Sequence, residues 1–240
     1  VADLAVVVVS AVDGVEVGTE QVWLQCEAAG IPRLIFVTKE DRPRADFHTV
    51  LAELQAKFGA GVVPLQLPIG EEETLHGVAD VLSELSYDYD AEGHGSQADA
   101  PAEVADEQHD LHEQVTEEIV SGDDDALEKY LSGEVPSTSE LEVSLAHEVL
   151  AGTAFPVLLG SAVTEVGVDQ LADYLCELGP TPAERPTTLH AGGAEVAVEA
   201  DPDGEPALLV FRTVTDPFVG QLSLFKVLSG TVRNDQRLTN

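Results

Sequence analysis

The sequence predicts an α/β fold: a parallel sheet carrying an α+β insertion, followed by an antiparallel β domain. Three observations carry that prediction. Strand-like and helix-like runs alternate over residues 1–69. The rhythm then breaks over 70–153 and resumes at 154–180. Beyond that, short β-branched and aromatic runs are punctuated by turn dipeptides.

The first element is Leu4 to Val9, continuous and largely β-branched, as in a strand buried on both faces of a parallel sheet. Asp13-Gly14 ends the apolar run, and Thr19 opens a helix with Val22, Cys26 and Ala29 on one face and Gly30 as its stop. Leu34 to Val37 reads as a second buried strand. Phe47, Val50, Leu51, Leu54 and Phe58 fall at helical spacing before Gly59. Val62 to Leu67 reads as a third strand, so right-handed crossovers and a parallel sheet follow.

The insertion opens on the acidic run Glu71-Glu72-Glu73. A short β-like stretch from Val78 to Tyr89 precedes a flexible loop over Gly93 to Ala102, and helices are expected at 103–121, 124–132 and 138–151. Phe155 to Leu159 resumes the sheet, with a helix from about Val168 to Glu177. Gly179-Pro180-Thr181-Pro182 is a stiff linker and a domain boundary. The runs 194–200, 207–215 and 221–228, separated by Asp203-Gly204, Asp216-Pro217 and Ser229-Gly230, predict an antiparallel β domain running to Asn240.

Composition excludes several function classes. Among 240 residues, 45 Asp and Glu face 11 Lys and Arg, a formal charge of −34. So acidic a surface repels phosphate backbones, and no direct nucleic-acid binding is expected. Cys26 and Cys176 are the only cysteines, too few for a disulfide framework or a zinc site, which fits a cytoplasmic protein. No apolar run reaches the length of a membrane helix. The chain contains no methionine and opens on Val1, and reads as a piece of a longer protein.

Two strand ends carry candidate chemistry, since ligands of open α/β sheets bind beyond the carboxyl ends of the strands. After Leu34 to Val37 comes Thr38-Lys39-Glu40-Asp41. A carboxylate there can accept two hydrogen bonds from the N–H/NH₂ edge that guanine has and adenine lacks. The Lys39 stem can lie along a ring face. A solvent-exposed charged turn is the competing reading. After Phe155 to Leu159 comes Gly160-Ser161-Ala162, small residues whose successive N–H groups can grip a carbonyl oxygen. Elsewhere His109, His112 and Glu113 fall at helical spacing and could bind a metal, but an exposed polar helix face is the better reading. Asp123-Asp124-Asp125 lacks the alternating ligands and glycine of a calcium loop and reads as a helix start. Ser10, Ser161 and His190 do not suggest a triad, and Trp23 reads as core or edge packing.

Taken together, these residues resemble translation elongation factor G. The likeness runs from Ala11-Val12-Asp13-Gly14-Val15 and Ala29-Gly30-Ile31-Pro32-Arg33 to Asp41, through Leu67-Pro68-Ile69-Gly70, Gly77-Val78-Ala79-Asp80 and Tyr130-Leu131-Ser132-Gly133-Glu134. It continues at Pro156 to Ala162 and at Asp216-Pro217-Phe218-Val219-Gly220 to Ser229-Gly230. The resemblance implies the second half of a P-loop-type G domain (1–69 and 154–180), its inserted subdomain (70–153) and the start of the β-barrel second domain (181–240). It implies GTP or GDP as ligand, magnesium in the full-length parent, and work on the ribosome.

By the same resemblance, Thr38-Lys39-Glu40-Asp41 stands at the family's Asn-Lys-x-Asp motif. Asp41 would read the base edge, Lys39 would pack on the ring, and Ser161 and Ala162 would offer backbone N–H groups to the base oxygen. Thr38 departs from the family's asparagine, which ties the base loop to the phosphate loop. That substitution resembles elongation factor G-like paralogues of actinobacteria. No phosphate loop G-x-x-x-x-G-K-[ST] occurs in these residues, so these residues alone are expected to be inactive in GTP hydrolysis. A non-hydrolysing paralogue, or a binding module like the ribosome-protection proteins, is the alternative.

Overall fold

The computed structural model describes residues 1–122, 124–191 and 194–237. Asp123 and Asn240 lie outside the described residues, as does the side chain of His190. The chain divides into two compact units, Leu4–Gly179 and Val1–Asp3 with Pro180–Asn240.

The larger unit is built on a four-stranded parallel sheet. Its strands are β1 (Ala5–Ser10), β2 (Arg33–Thr38), β3 (Val62–Pro64) and β8 (Phe155–Leu159), in the order β1-β2-β8-β3. Successive side chains of a strand point to opposite faces, and the sequence fills both. Val7, Val9, Ile35, Val37, Val157 and Leu159 enter one core, with Phe47, Val50 and Leu54 from α2 (Phe47–Phe58). Leu34, Phe36, Val63 and Leu158 enter the other. There they meet Val115 and Ile119 of α3 (Ala102–Ser121), Leu141, Leu145 and Val149 of α5 (Thr138–Ala151), and Tyr174 of α6 (Val168–Glu177). The remaining helices are α1 (Val17–Ala28) and α4 (Asp124–Leu131). The parallel α/β class expected from the alternation is the one observed.

Strand β1, expected to be buried on both faces, leaves Val8 58% exposed because it is the edge of the sheet, and four further details of the larger unit differ from the sequence reading. Helix α1 begins before Thr19 and buries Trp23 and Cys26, whereas Val22 is 45% exposed. Trp23 selects that face by stacking on Phe58 with ring centroids 3.9 Å apart, while the Arg33 guanidinium covers it at 4.4 Å. The run Val62 to Leu67 is not one strand. It changes sheets at buried Leu65, which donates to the Val157 carbonyl on one side and accepts from Val81 on the other. Downstream of Leu65 it becomes β4 (Gln66–Ile69) of a separate antiparallel sheet.

That sheet, ordered β4-β5-β6-β7, holds the other two differences. The stretch Val78 to Tyr89 is two strands, β5 (Gly77–Asp80) and β6 (Ser86–Tyr89). Asp80 makes the turn between them by accepting from the Ser83 N–H at 2.8 Å and its hydroxyl at 2.6 Å. The expected loop Gly93 to Ala102 contains a strand, β7 (Gly95–Ala98), paired antiparallel with β6. Gly-Ser-Gln-Ala has no β-branched residue to announce a strand; its backbone pairing and the Asp90 carboxylate, which caps the turn at Glu92 and His94, hold it instead. Helices α3 to α5 follow where periodicity placed them.

In the smaller unit β9 (Thr187–Ala191) pairs with β10 (Ala194–Val198), and β11 (Ala207–Asp216) pairs with β12 (Gly220–Ser229), both antiparallel. Strand β9, directly after Pro186, was not expected from the sequence. Lys226 Nζ grips the Asp3 carboxylate at 2.5 and 2.6 Å, and the Arg185 guanidinium donates to the Asp3 carbonyl at 2.8 Å. Among the described residues no helix is long and apolar enough to cross a membrane.

Candidate functional site

The parallel register brings the two candidate loops side by side. Val37 of β2 pairs with Leu159 of β8, and the Gly160 N–H donates to the Val37 carbonyl at 2.9 Å. Both chains therefore leave the sheet at the same edge, one into Thr38–Asp41 and the other into Gly160–Ala162. A third segment joins them: Ala11, after β1, donates its N–H to the Thr38 carbonyl at 2.8 Å and accepts from the Asp46 N–H at 3.1 Å.

The loop after β2 turns sharply at Lys39, whose φ of 67° is left-handed. An L side chain rarely adopts that conformation without a reason in its surroundings. Here Lys39 Nζ lies 3.2 Å from Asp13 Oδ2. The Ser10 hydroxyl first and Lys39 second hold the Asp13 carboxyl below the usual range. The Thr38 hydroxyl makes no hydrogen bond among the described residues, while its carbonyl serves Ala11.

Asp41 is the informative member. Its side chain is 13% exposed, and Oδ2 lies 3.4 Å from Arg42 Nε. Its other oxygen, Oδ1, is buried with no hydrogen-bond partner. A buried unpaired carboxylate oxygen costs on the order of 1–3 kcal/mol or more, so its retention at a strand end calls for a donor. Glu40 points inward: it is 4% exposed, and burial, then Asp46 and Asp41, push its carboxyl up to about 7.

The loop after β8 is built differently from the expectation. Ser161 is fully buried, and its hydroxyl accepts from the N–H groups of Val163 at 3.1 Å and Thr164 at 3.2 Å. Its own N–H donates to the Val166 carbonyl at 3.0 Å. Of the two N–H groups that the resemblance implied for a ligand, Ser161's is therefore occupied in holding the loop closed. That of the exposed Ala162 has no partner among the described residues. Gly160 is required here, because a Cβ would stand 2.2 Å from the Val166 carbonyl oxygen.

The residues present fit the edge of a base: an unpaired acceptor at Asp41, an unpaired donor at Ala162, and an aliphatic lysine stem in the first of two loops that share a sheet edge. They hold nothing that would cradle phosphates. Nor do the described residues gather three or more His, Cys, Asp or Glu side chains that could hold a metal ion. His109 Nδ1 sits 2.8 Å from Glu84 Oε1, which raises the imidazole's pKa. His112 differs from its expected place on an exposed face: it is 19% exposed and bonded through Nδ1 to the Val81 carbonyl at 2.8 Å.

Comparison with known proteins decides the family. The model of the elongation factor Tu GTP binding domain matches residues 1–181. The chain belongs to that family. It is 36% identical over 247 residues to elongation factor G 1 of Bdellovibrio bacteriovorus, covering all of this chain and 35% of the relative. It is 34% identical over 235 residues to the elongation factor G-like protein of Thermotoga maritima, covering 97% of this chain and 34% of that one. A solved structure from Thermus thermophilus superposes with a TM-score of 0.81 at 35% identity, over 95% of this chain and 32% of that chain. The chain thus spans about a third of the length of the relatives it matches.

Proposed function

We propose that this chain is the guanine-recognising part of an elongation factor G-like translation factor, which binds GTP and GDP and acts on the ribosome in the cytoplasm. The observation that carries the reading is the buried, unpaired Oδ1 of Asp41 in the loop after β2, a strand whose Val37 pairs with Leu159 just before the loop that holds Ala162. In this reading Asp41 accepts the ring N–H and the exocyclic amine of guanine. The Ala162 N–H donates to the 6-oxygen, Ser161 shapes the loop that presents it, and the Lys39 stem covers one ring face. Phosphate binding, magnesium and hydrolysis would require residues other than these. In the same reading residues 1–69 and 154–180 form a G domain, with 70–153 inserted and 181–240 beginning a β-barrel domain.

The test is a titration of fluorescent GDP, competed with ATP and XTP, using the protein with its natural flanking residues. The Asp41→Asn variant is measured beside it. Wild type is expected to select guanine, and the variant to lose GDP affinity by at least about 100-fold while gaining xanthine nucleotide. No guanine preference, or an unchanged preference in the variant, would sink the reading. Thr38 favours a second one, in which the protein holds nucleotide but is not driven to hydrolyse it. Tight GTP binding without ribosome-stimulated turnover would select that alternative.

A further inference from the structure

The β6–β7 hairpin of the insertion packs on the segment that closes the loop after β8. That segment, Thr164 to Gly167, has two left-handed residues, Glu165 at φ 62° and Gly167 at φ 75°. Gly167 cannot be otherwise, since a Cβ would lie 2.3 Å from the Leu159 carbonyl oxygen. Between them, buried Val166 uses its carbonyl to accept the Ser161 N–H. Whatever fixes this segment therefore fixes the height at which Ala162 presents its own N–H.

The hairpin supplies that fixation. A Cβ on Gly93 would stand 2.7 Å from the Glu165 Cβ, and one on Gly95 would stand 2.9 Å from Asp169 Oδ2. Tyr89, at the end of β6, is buried and donates its hydroxyl to Asp169 Oδ1 at 2.5 Å. Asp169 is the second residue of α6 and also accepts the Gln170 N–H at 2.9 Å. Further along the same helix Tyr174 donates to the buried Asp80 of β5. Sheet and helix thus exchange tyrosine for aspartate at two points, and only the first adjoins the loop after β8.

We propose that Tyr89 and Asp169 are positioning residues for guanine recognition: the hairpin of the insertion sets the loop that presents Ala162 to the 6-oxygen of the base. This rests on the guanine reading of that loop. It also makes the insertion a lever on nucleotide affinity. Whatever shifts the hairpin changes GDP binding, and GDP binding must shift the hairpin equally.

A base that lacks the 6-oxygen isolates the effect. In the protein with its natural flanking residues, affinities for GDP and for 2-aminopurine riboside diphosphate would be measured for wild type, Tyr89→Phe, Asp169→Ala, Asp169→Asn and Tyr174→Phe. The expected result is a preference for GDP in wild type that falls about five- to tenfold in Tyr89→Phe and Asp169→Ala. Affinity for the 2-aminopurine nucleotide stays level in both. Asp169→Asn retains an acceptor for Tyr89 and recovers most of the preference. Tyr174→Phe lowers the melting temperature and leaves the ratio unchanged, because its bond lies away from the loop. An unchanged ratio in Tyr89→Phe and Asp169→Ala overturns the proposal, as does an equal fall in Tyr174→Phe. A wild type with no preference for GDP over the 2-aminopurine nucleotide fails at an earlier point, on the reading of the base loop itself.

Discussion

The two compact units bury their apolar residues to very different extents. In Leu4–Gly179 strands β2, β8 and β3 of the parallel sheet are covered on both faces, although Val8 of the edge strand β1 is 58% exposed, and Leu34, Ile35, Val37, Leu54, Leu145 and Leu158 have no exposed surface. In the β11–β12 hairpin Phe218 is 97% exposed, and Phe211, Leu224 and Phe225 are each exposed by close to half. The residue types are similar; what differs is the number of layers available to cover them. A two-stranded ribbon gives each side chain one neighbouring strand, whereas a sheet between helices encloses it. Large apolar content therefore does not measure stability unless a second layer meets it.

The largest expected effect tests that contrast directly. Leu145→Ala opens a cavity between α5 and the sheet and should lower unfolding free energy by about 2–5 kcal/mol in denaturant titration. A loss below about 1 kcal/mol would show that the second core is loosely packed.

Next in size is Glu40, a carboxylate that the well-covered unit buries directly beside its candidate site. Its folded pKa is raised above the unfolded value of 4.5 to about 7. The group therefore costs nothing below pH 4.5, where both states are protonated. The penalty grows as pH rises through that window and is complete above about pH 7. Glu40→Gln should stabilise the protein by on the order of 2 kcal/mol at pH 8 and leave it nearly unchanged at pH 4. A pH-independent difference between the two proteins would show that Glu40 is not held in a dry site.

Phe218→Ala is the smallest expected change. A side chain this exposed contributes within about 0.5 kcal/mol, so unfolding free energy should not move measurably. A clear destabilisation would mean that the hairpin tip is covered in solution, and the contrast between the units would narrow.

Much of the covered unit was legible because its signals are local and repeated. Helix α2 announced itself through five apolar residues at helical spacing before Gly59, and α6 was placed between the observed limits, Val168–Glu177. Strands β2 and β8 were visible as unbroken apolar runs because both their faces are buried. Strand β7 was not visible, since Gly95–Ala98 is exposed and small and is recruited by its partner's backbone rather than by its own side chains. The face of α1 was misread for a related reason. Val22 and Trp23 are adjacent on the chain, and only the position of Phe58 decides which turns inward. Within the site, both strand-end loops were found from the sequence. The division of labour between Ser161, whose N–H closes its own loop, and Ala162, whose N–H is left over, was not.

The sequence by itself determined the alternation of strands and helices, the acidic surface, the family likeness, and the two short segments that follow apolar strands. Hydrophobic period and turn chemistry are properties of neighbours along the chain, so they survive without a fold. Only the tertiary structure decided that β8 inserts between β2 and β3, which brings residues 41 and 162 to one edge. It alone set Tyr89 against Asp169, eighty positions away in sequence. Such contacts depend on which surfaces meet after burial is satisfied, and no local pattern encodes that choice.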